Sequence, residues 1–499
     1  MEQYDDIVVG AGVSGLTVSL LLGMSGRKVL LLEKSPAIGG SLKRFYKQGV
    51  PFDTGFHFTG GFNENGTLQN MLKVLGISNK IRPIYLNGKG ANKFVLEASR
   101  ETYEVPFGYN DTIAWLKKCF PAEHKAIDDY FALVTKVCRQ TLAMDIRNIA
   151  LSPEPVEEDF ITLQEVLDNL TADKKLQTLL SAYDMCYGTC PKEVSFAAHA
   201  RVCYSLHESI ARVRGGGETF ISAFKEKFND LNITIKCETF ITQVSSMKGD
   251  YAEKFILNNG ETVTAQNCIF TIHPKQILEI LPREHLTKAF INRVEGFEEA
   301  MGFFCVFAQI ENPAPQDFEL TIVSLFPVND LNLLLAPGNC GEPALTIMKS
   351  REELLGKSYC VLNALEVSFF EDVKSWQNSK VNSRGEKYLE YKRAHAQNIL
   401  RRVEKFYPQY QNRLKVMDVS SQLTFRDYLN SPQGSAYGVK QSQGQFNLFG
   451  KLPIRNCYAA GQSAVLPGIV GSMLSSFMVA RSVIGKDAFS EFVQARLAV

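Results

Sequence analysis

The chain begins with two short apolar runs on either side of a longer apolar segment. Residues 7–9 and Val29–Leu32 are the runs, residues 13–24 are the segment, and glycines stand at each change. Short apolar runs bounded by glycine are typical of strands buried on both faces, and longer apolar segments are typical of buried helices. The pattern therefore predicts strand, helix and strand, the start of a parallel α/β sheet.

The rest of the pattern alternates between helical and strand-like stretches. Apolar residues recur at helical spacing between residues 110 and 211 and again over 386–406. A hairpin is predicted for 254–257 with 261–265, because Asn258-Asn259-Gly260 between them is a strong turn sequence. Further strands are predicted at 233–235, 240–244, 268–272, 302–308, 320–326, 359–365 and 458–460. A helix of small residues is predicted to follow the last strand.

Three glycines and one acid give the first strand–helix–strand unit its chemistry. Gly10, Gly12 and Gly15 follow the first strand with GxGxxG spacing, and Glu33 ends the second strand. In this motif one glycine makes the turn, one lets backbone approach a pyrophosphate, and one lets helix and strand pack closely. The helix N-terminus favours the phosphates, and Glu33 is placed to accept ribose hydroxyls. The sequence thus predicts a dinucleotide site, with NADP disfavoured because Glu33 would repel a 2′-phosphate.

The residues after Glu33 distinguish FAD from NAD. A Gly39-Gly40 pair follows the acid, and residues 51–61 (PFDTGFHFTGG) are again rich in glycine. A second glycine turn can bring more backbone N–H groups to the diphosphate, and the later segment can pass close to a flat ligand. An NAD dehydrogenase needs neither feature, so the predicted cofactor is FAD.

These motifs resemble those of the FAD-dependent superfamily of phytoene desaturases, carotenoid isomerases and retinol saturases. Residues 52–58 (FDTGFHF) are most similar to the retinol-saturase branch, and residues 420–438 and 456–481 resemble the final FAD segments of the superfamily. Two positions depart from the pattern. Gln462 stands where many flavoproteins have an acid near the FAD ribitol, and Ser475-Ser476 stand where desaturases commonly have Ser-Gly.

The resemblance implies an α/β fold with a discontinuous Rossmann-type FAD-binding domain and an inserted α+β substrate domain of a sheet plus helices. The FAD-binding domain is predicted from residues 1–79, 211–288 and 418–499. The substrate domain is predicted from residues 80–210, which are mostly helical, and 289–417.

Candidate site residues come from the glycine turns, from the strand at 240–244, which passes the adenine in the family, and from the last segment. The predicted cofactor-binding residues are Gly10, Gly12, Val13, Ser14, Gly15, Glu33, Lys34, Gly39, Gly40, Ser41, Gly55, Phe56, His57, Val244, Gly461, Gln462, Pro467, Gly468, Ile469, Val470 and Gly471. A helix N-terminus beginning at Pro467 would stabilise negative charge on reduced flavin. His57 is also the candidate catalytic group, able to donate a proton to a substrate carbon, with hydrogen bonding to flavin or backbone as the alternative.

The function implied is that of an FAD-dependent oxidoreductase acting on C–C or C=C bonds of a hydrophobic polyene or isoprenoid substrate by hydride exchange with flavin N5. Because no second GxGxxG motif serves NAD(P)H, electrons are expected to pass to or from oxygen, a quinone or a redox protein. Three alternatives stay open: a redox-neutral carotenoid isomerase, an amine-oxidase-type flavoenzyme, and a flavin-containing lipid-binding or scaffold protein.

Composition and charge indicate the class of protein and its compartment. With 499 residues, 45% of them hydrophobic, the chain can bury a large core, and its net charge of +1 gives no argument for nucleic acid. The eleven cysteines, scattered behind a fold that starts within five residues of Met1, indicate reduced thiols in a cytoplasmic protein. No apolar run long enough to span a bilayer and no metal cluster is recognised.

One segment suggests that the protein contacts a membrane surface. Residues 384–415 contain nine basic and three acidic residues, a net charge of +6, around the helix predicted at 386–406. A solvated helix face is the plain interpretation. The alternative is a basic amphipathic surface that makes peripheral contact with anionic lipid on the inner face of the membrane.

Overall fold

The computed structural model describes residues 2–87, 90–141, 144–149, 155–338, 341–445 and 447–498. The strands are β1 Glu2–Val9, β2 Val29–Leu32, β3 Arg44–Lys47, β4 Val50–Asp53, β5 Pro83–Tyr85, β6 Asn92–Leu96, β7 Glu101–Glu104, β8 Ala211–Val213, β9 Ile233–Lys236, β10 Ile241–Lys248, β11 Tyr251–Leu257, β12 Thr262–Phe270, β13 Gly302–Ile310, β14 Thr321–Phe326, β15 Leu345–Leu354, β16 Lys357–Ser368, β17 Leu414–Ser420, β18 Gly450–Lys451 and β19 Cys457–Ala459. The helices are α1 Val13–Met24, α2 Thr67–Val74, α3 Tyr109–Cys119, α4 His124–Gln140, α5 Leu163–Leu170, α6 Lys174–Ser181, α7 Phe196–Glu208, α8 Gly217–Phe228, α9 Pro274–Ile280, α10 Lys288–Glu295, α11 Leu331–Leu334, α12 Glu386–Phe406, α13 Gln422–Leu429, α14 Gly468–Ile484 and α15 Lys486–Leu497.

The first sheet has a parallel centre and an antiparallel edge. Its order is β10-β11-β12-β1-β2-β9, and β19 pairs with β12 and carries β18. The strands β19, β12, β1, β2 and β9 run parallel, whereas β10 and β11 form antiparallel pairs. Parallel neighbours so far apart in sequence require crossovers, which the helices between them provide.

Both faces of this sheet are covered, which explains the apolar runs at residues 7–9 and Val29–Leu32. Val8 and Leu31 face a core shared with α1, α8 and α14, whereas Ile7 and Leu30 face a core shared with β11, α9 and α10. Ser14 on α1 and Ser476 on α14 form a hydrogen bond at 2.6 Å between their hydroxyl oxygens. The start and the end of the chain thus meet in one core.

The second sheet is mostly antiparallel, in the order β17-β13-β16-β15-β14-β6-β7, with β14 and β6 parallel. One face packs against the helices α4 to α7. The other face packs against α12, whose Ala396, Ile399 and Val403 are buried there. The apolar stripe of α12 is therefore covered by the sheet, and a lipid surface could not use it.

The fold class predicted from the sequence is confirmed: an α/β Rossmann-type sheet with a second, sheet-containing part. The domain boundaries stay a prediction; β17, at Leu414–Ser420, crosses the boundary predicted at 417 and pairs with β13 in the second sheet. None of the described helices is both long and apolar enough to cross a membrane.

Several elements differ from the predictions. Residues 262–270 form one strand, whereas two strands, 261–265 and 268–272, were predicted. Gln266 and Asn267 interrupt the apolar run but not the strand, and their side-chain amides donate to Asp5 and Asp6 of the neighbouring β1. Strands β15 and β17 and helix α15 were not predicted. The end of β15 carries Arg351, Glu352 and Glu353, so its charges hide a strand that is buried over most of its length.

Candidate functional site

A cleft of about 480 Å³ opens at the carboxyl ends of the parallel strands β1, β2 and β12. Ligands of open α/β sheets bind at this edge. We call it the glycine cleft. Its lining includes Gly10, Gly12, Val13, Ser14, Glu33, Lys34, Gly40, Ser41, Thr239, Phe240, Ile241, Thr242, His273, Gly461 and Gln462.

Each glycine of the first turn meets a different constraint. Gly10 has φ +96°, a left-handed conformation that favours glycine. A Cβ on Gly15 would lie 1.8 Å from the carbonyl oxygen of Gly10, so no larger residue fits between helix and strand. A Cβ on Gly12 would meet nothing within 4 Å, because it would point into the cleft. The first turn therefore offers open main chain to a ligand.

A second turn completes the cleft. The N–H of Gly39 donates to the carbonyl oxygen of Ala11 at 2.7 Å, which ties the two turns together. A Cβ on Gly40 would lie 3.1 Å from the Cα of Gly12. Two glycine backbones thus face each other in contact, as expected where both approach one diphosphate.

Glu33 lies at the end of β2 and is 9% exposed. Its carboxylate accepts the N–H of Ala11 through Oε2 and the N–H of Ser35 through Oε1, each at 2.8 Å. An ionised carboxylate has about four lone-pair positions, so two remain for ribose hydroxyls. Glu33 therefore both shapes the turn and presents acceptors to the cleft.

The last segment closes the cleft from the other side. Gly461 and Gln462 follow β19 and line it, and the N–H of Gly461 donates to Ser475 Oγ at 2.9 Å. Ser476 bonds to Ser14 across the helix contact. Ser475 and Ser476, which stand where desaturases commonly have Ser-Gly, therefore both have structural partners. Ser475 fixes the turn at Gly461, and Ser476 joins α14 to α1.

A second cavity, of about 240 Å³, lies between this end of the first sheet and the inner face of the second sheet. We call it the roofed cavity. Its floor consists of residues 54–60 and 466–472, and its roof of β6, β14, β15 and β16. The two cavities share Val13, Ser41, Leu429, Ala436, Gln462 and Ser472. They therefore meet beside Gln462.

The floor holds most of the remaining predicted residues. Gly55, Phe56 and His57 line it, and Pro467, Gly468, Ile469, Val470 and Gly471 face it from the start of α14. Gly468 has φ +76°, and a Cβ there would meet nothing within 4 Å. The first turn of α14, whose N–H groups lack partners within the helix, therefore lines the roofed cavity.

His57 lines this floor as a partly buried side chain whose Nδ1 atom is enclosed. Burial lowers the pKa of its ring to about 4, although the nearby Asp53 opposes the shift. Its Nδ1 has no hydrogen-bond partner among the described residues. At neutral pH the ring is therefore uncharged, and its Nδ1 is available to hydrogen-bond a ligand.

Four charged side chains underlie the floor, and we call them the charge quartet: Arg44, Asp53, Arg212 and Glu352. Arg44 Nε lies 2.8 Å from Asp53 and Arg212 lies 2.5 Å from Glu352, while Arg44 also pairs with Glu352 and Arg212 with Asp53. Each side chain is at most 6% exposed. Arg212 also donates to the carbonyl oxygen of His57 at 3.3 Å. The quartet ties the floor to β15 of the roof.

The roof is mainly apolar, with Phe94, Ile322, Met348 and Leu365 facing the cavity. Four neutral polar side chains lie among them: Asn92, Tyr183, Ser324 and Thr346. Ser324 and Thr346 hydroxyls are 3.3 Å apart, and Asn92 Nδ2 donates to Tyr183 Oη at 3.4 Å.

The structure thus brings most of the predicted set to two joined cavities. It does not bring Gly15 or Gly39 to a surface, since both act inside the turns. Val244 lies within the β10–β11 pairing, opposite Phe255, and the cleft is lined instead by residues 239–242. The sequence also missed His273 as a lining residue, the charge quartet and the polar roof. These residues come from separate strands, and no local motif marks them.

Comparison with known proteins agrees with this geometry. The family model for NAD(P)-binding Rossmann-like domains matches residues 8–75. The all-trans-retinol 13,14-reductase of Danio rerio is 23% identical over 98% of this chain and 87% of its own length. The prolycopene isomerase of Daucus carota is 22% identical over 99% of this chain and 83% of its own length. These similarities support the FAD-dependent superfamily of phytoene desaturases, carotenoid isomerases and retinol saturases.

The similarity to these relatives confirms the resemblance seen in the sequence and supports an oxidoreductase. A solved structure of cyclohexylamine oxidase from Brevibacterium oxydans shares the fold, with a TM-score of 0.63 over 99% of this chain and all of that chain, at 13% identity. At that identity the likeness supports the fold alone.

Proposed function

We propose that this chain holds FAD across the glycine cleft and uses it to oxidise or reduce a C–C or C=C bond of a hydrophobic polyene or isoprenoid in the roofed cavity. The main support for this proposal is that the glycine cleft and the roofed cavity meet. Gln462 and Ser472 of α14 line both cavities, so a long cofactor in the cleft would present its far end to the apolar roofed cavity. That chamber suits a hydrophobic substrate.

The protein's part in binding FAD follows from the groups already described. Main-chain N–H groups at Gly12 and at the start of α1 would hold the diphosphate, and the facing Gly40 turn would close over it. Glu33 would hold the adenosine ribose. The N-terminus of α14 would favour negative charge at the far end of the cofactor. Bound FAD supplies the hydride acceptor or donor, and the protein supplies orientation and a dry chamber.

His57 is the proposed proton-transfer group. Its pKa bears on whether it donates or accepts a proton. With a pKa of about 4 the ring is neutral at pH 7, so it can accept a proton or a hydrogen bond. Proton donation during saturation, the role predicted from the sequence, would require protonating a group that burial keeps neutral. The lowered pKa of His57 therefore favours proton acceptance, as desaturation requires.

The alternatives keep specific expectations. A redox-neutral isomerase would return product of unchanged mass. An amine oxidase would need an amine to enter a cavity whose described lining includes no Asp or Glu, although Phe303 and Tyr437 give it aromatic walls. A scaffold protein would bind flavin or lipid without turnover.

One experiment separates these outcomes. The purified protein, reconstituted with FAD, is incubated with phytoene, prolycopene, all-trans-retinol or cyclohexylamine, once with oxidised and once with dithionite-reduced flavin. Mass spectrometry then reports a loss of two hydrogens, a gain of two, or a change of retention time alone. Flavin should be released by denaturation, because it is expected to be non-covalent.

The results have clear consequences. Mass changes of two in a polyene support the proposal and give its direction. Turnover of the amine alone, or flavin binding without turnover of any probe, would overturn it in favour of an alternative. A protein that binds no FAD would overturn the whole proposal.

A further inference from the structure

The roof of the cavity carries a cluster of neutral polar groups that the proposed reaction does not use. Asn92, Ser324 and Thr346 come from the neighbouring strands β6, β14 and β15, and Tyr183 comes from the segment between α6 and α7. Ser324 is directly opposite Thr346 and Phe94 in the sheet register, and Asn92 is opposite Ile322. Since Asn92 and Phe94 are two residues apart on one strand, the cluster is about 7 Å long.

These side chains face the cavity and not a neighbouring core. Thr346 pairs with Leu365, which also lines the cavity, whereas the residues on either side of Thr346, Leu345 and Ile347, face α12. Asn92, Tyr183 and Ser324 are at most 7% exposed. Groups buried this deeply need hydrogen-bond partners.

The hydrogen bonds within the cluster do not use all of its O–H donors. Whichever of Ser324 and Thr346 donates to the other, one hydroxyl proton has no acceptor among the described residues. Tyr183 accepts from Asn92, and its own proton likewise has no acceptor among them. Burial raises the pKa of Tyr183, so the phenol stays protonated. At least two O–H donors are therefore available to a ligand.

The cavity also lacks a free positive charge for an acidic ligand. Among the described residues that line it, the basic side chains are Arg201 and His57. Arg201 is engaged by both carboxylate oxygens of Asp159, at 2.6 and 3.0 Å, and by Thr141 at 3.0 Å. His57 is neutral at pH 7. A carboxylate or diphosphate would enter without a counter-charge, which is strongly unfavourable in a buried site.

We propose that Asn92, Tyr183, Ser324 and Thr346 form a subsite for an uncharged oxygen-bearing end of the substrate, a hydroxyl or a carbonyl. The inference rests on the proposed function and narrows its substrate class. The substrate is then an oxygenated polyene or isoprenoid, and neither a plain hydrocarbon nor an acid is preferred. A hydrocarbon end would leave the O–H donors unpaired.

The test compares three probes with one carbon skeleton: all-trans-retinol, the hydrocarbon in which a methyl group replaces its CH₂OH, and the corresponding carboxylate. Dissociation constants for the FAD-loaded protein are measured by fluorescence quenching at pH 7.5, independently of turnover. Wild-type protein should bind the alcohol about tenfold more tightly than the hydrocarbon, and the carboxylate most weakly.

Variants locate the effect. Tyr183→Phe and Ser324→Ala should each reduce the preference for the alcohol about three- to tenfold, leaving hydrocarbon binding unchanged or tighter. Ile322→Val, on the same roof face, is the matched control and should weaken all three probes alike.

Equal binding of alcohol and hydrocarbon by the wild-type protein, a preference for the carboxylate, or an unchanged preference in both polar variants would overturn the subsite. The proposed function would survive these results, because hydrocarbon turnover is compatible with it. Failure of all three probes to bind would instead overturn the proposed substrate class together with the subsite.

Discussion

In the glycine cleft the groups that face a ligand are mainly main-chain atoms of two turns, whereas in the roofed cavity they are side chains from strands far apart in the sequence. The cleft depends on what is missing, namely the Cβ atoms of Gly10, Gly12, Gly15 and Gly40. The cavity depends on what is added, including aromatic rings, hydroxyls and the charge quartet beneath its floor. The difference separates the proposed cofactor site, formed mainly by main chain, from the proposed substrate site, formed mainly by side chains.

The two regions also differ in how they should respond to substitution. In the cleft, a single methyl group can either disrupt the fold or only block the ligand, depending on which way its Cβ points. In the cavity, a change of charge leaves the volume intact but leaves a buried partner unpaired. Four predictions test this contrast, starting from the largest expected effect.

The first prediction compares two glycines of the same turn. Gly15→Ala places a methyl group 1.8 Å from the Gly10 carbonyl oxygen, so strand and helix must separate, at a cost of about 3–5 kcal/mol. Gly12→Ala meets no protein atom within 4 Å and should leave the stability of the flavin-free protein unchanged. It should still lower FAD affinity about a hundredfold, because its methyl group would block the close approach of the diphosphate to the main-chain N–H groups and weaken their charge-assisted hydrogen bonds.

Urea denaturation of the flavin-free protein and flavin titration measure the two effects separately. The contrast would be refuted by a Gly12→Ala variant as unstable as Gly15→Ala, or by one that binds FAD as the wild-type protein does.

The second prediction concerns the charge quartet. Glu352→Gln keeps the side-chain shape but leaves two buried guanidinium groups with one carboxylate, which should cost about 3–5 kcal/mol of stability. Glu353→Gln, at the next position, is the matched control. Glu353 is half exposed and pairs with Arg351 at 3.1 Å, so its loss should cost at most about 1 kcal/mol.

Denaturation midpoints of both variants test this, with FAD affinity measured alongside. FAD affinity should stay within about threefold of wild type, because the quartet lies under the roofed cavity and not in the cleft. Equal stability of the two variants would mean that the quartet is not a coupled unit.

The glycine cleft and the roofed cavity also differ in how well they could be predicted from the sequence. The first turn, the Gly39-Gly40 turn and the last segment could be predicted because each is a contiguous motif whose glycines have local reasons. The helix at Glu386–Phe406 was predicted with its bounds, since its apolar stripe has clear helical spacing. Its covering by the second sheet could not be predicted, because the same stripe would suit a lipid surface.

The parts that were missed depend on pairing between distant strands. Glu352 meets Arg44 and Arg212 only because β15 lies over the floor, and nothing in the sequence near Glu352 indicates that contact. Ser324 and Thr346 face each other through the β14–β15 register. A single sequence without its strand pairing predicts neither the quartet nor the polar roof.

The third prediction concerns the pH dependence that His57 gives to stability. Its pKa is lowered from the ordinary 6.5 to about 4 in the folded protein. Between these values the unfolded chain binds a proton that the folded protein does not, so stability present above pH 6.5 is lost as pH falls. The expected loss is about 3 kcal/mol across this window.

Urea midpoints of the flavin-free protein at pH 4.5, 5.5, 6.5 and 7.5 test it against His57→Asn. Carboxylates remote from position 57 contribute equally to both proteins, so the difference reports His57 together with its neighbour Asp53, and the wild-type protein should lose more stability toward acid. Parallel curves would show that the ring is solvated or already paired with Asp53 as an imidazolium, and proton donation would then regain support.

The last prediction has the smallest effect and returns to the cleft. Glu33→Gln should lower FAD affinity about ten- to hundredfold, since a charge-assisted hydrogen bond to ribose contributes about 1.5–3 kcal/mol. An amide has one acceptor oxygen, so the N–H of either Ala11 or Ser35 must also lose its partner, at a cost of about 1 kcal/mol of stability. Glu261→Gln is the control, because Glu261 immediately precedes β12 of the same sheet, is half exposed and pairs with Lys236 at 2.7 Å away from the cleft. If Glu33→Gln lowers stability but binds FAD normally, Glu33 only shapes the turn, and the cleft is then built from main chain even at the ribose. If affinity falls by more than the stability change explains, one side chain of the cleft acts directly on the ligand, as those of the roofed cavity are proposed to do.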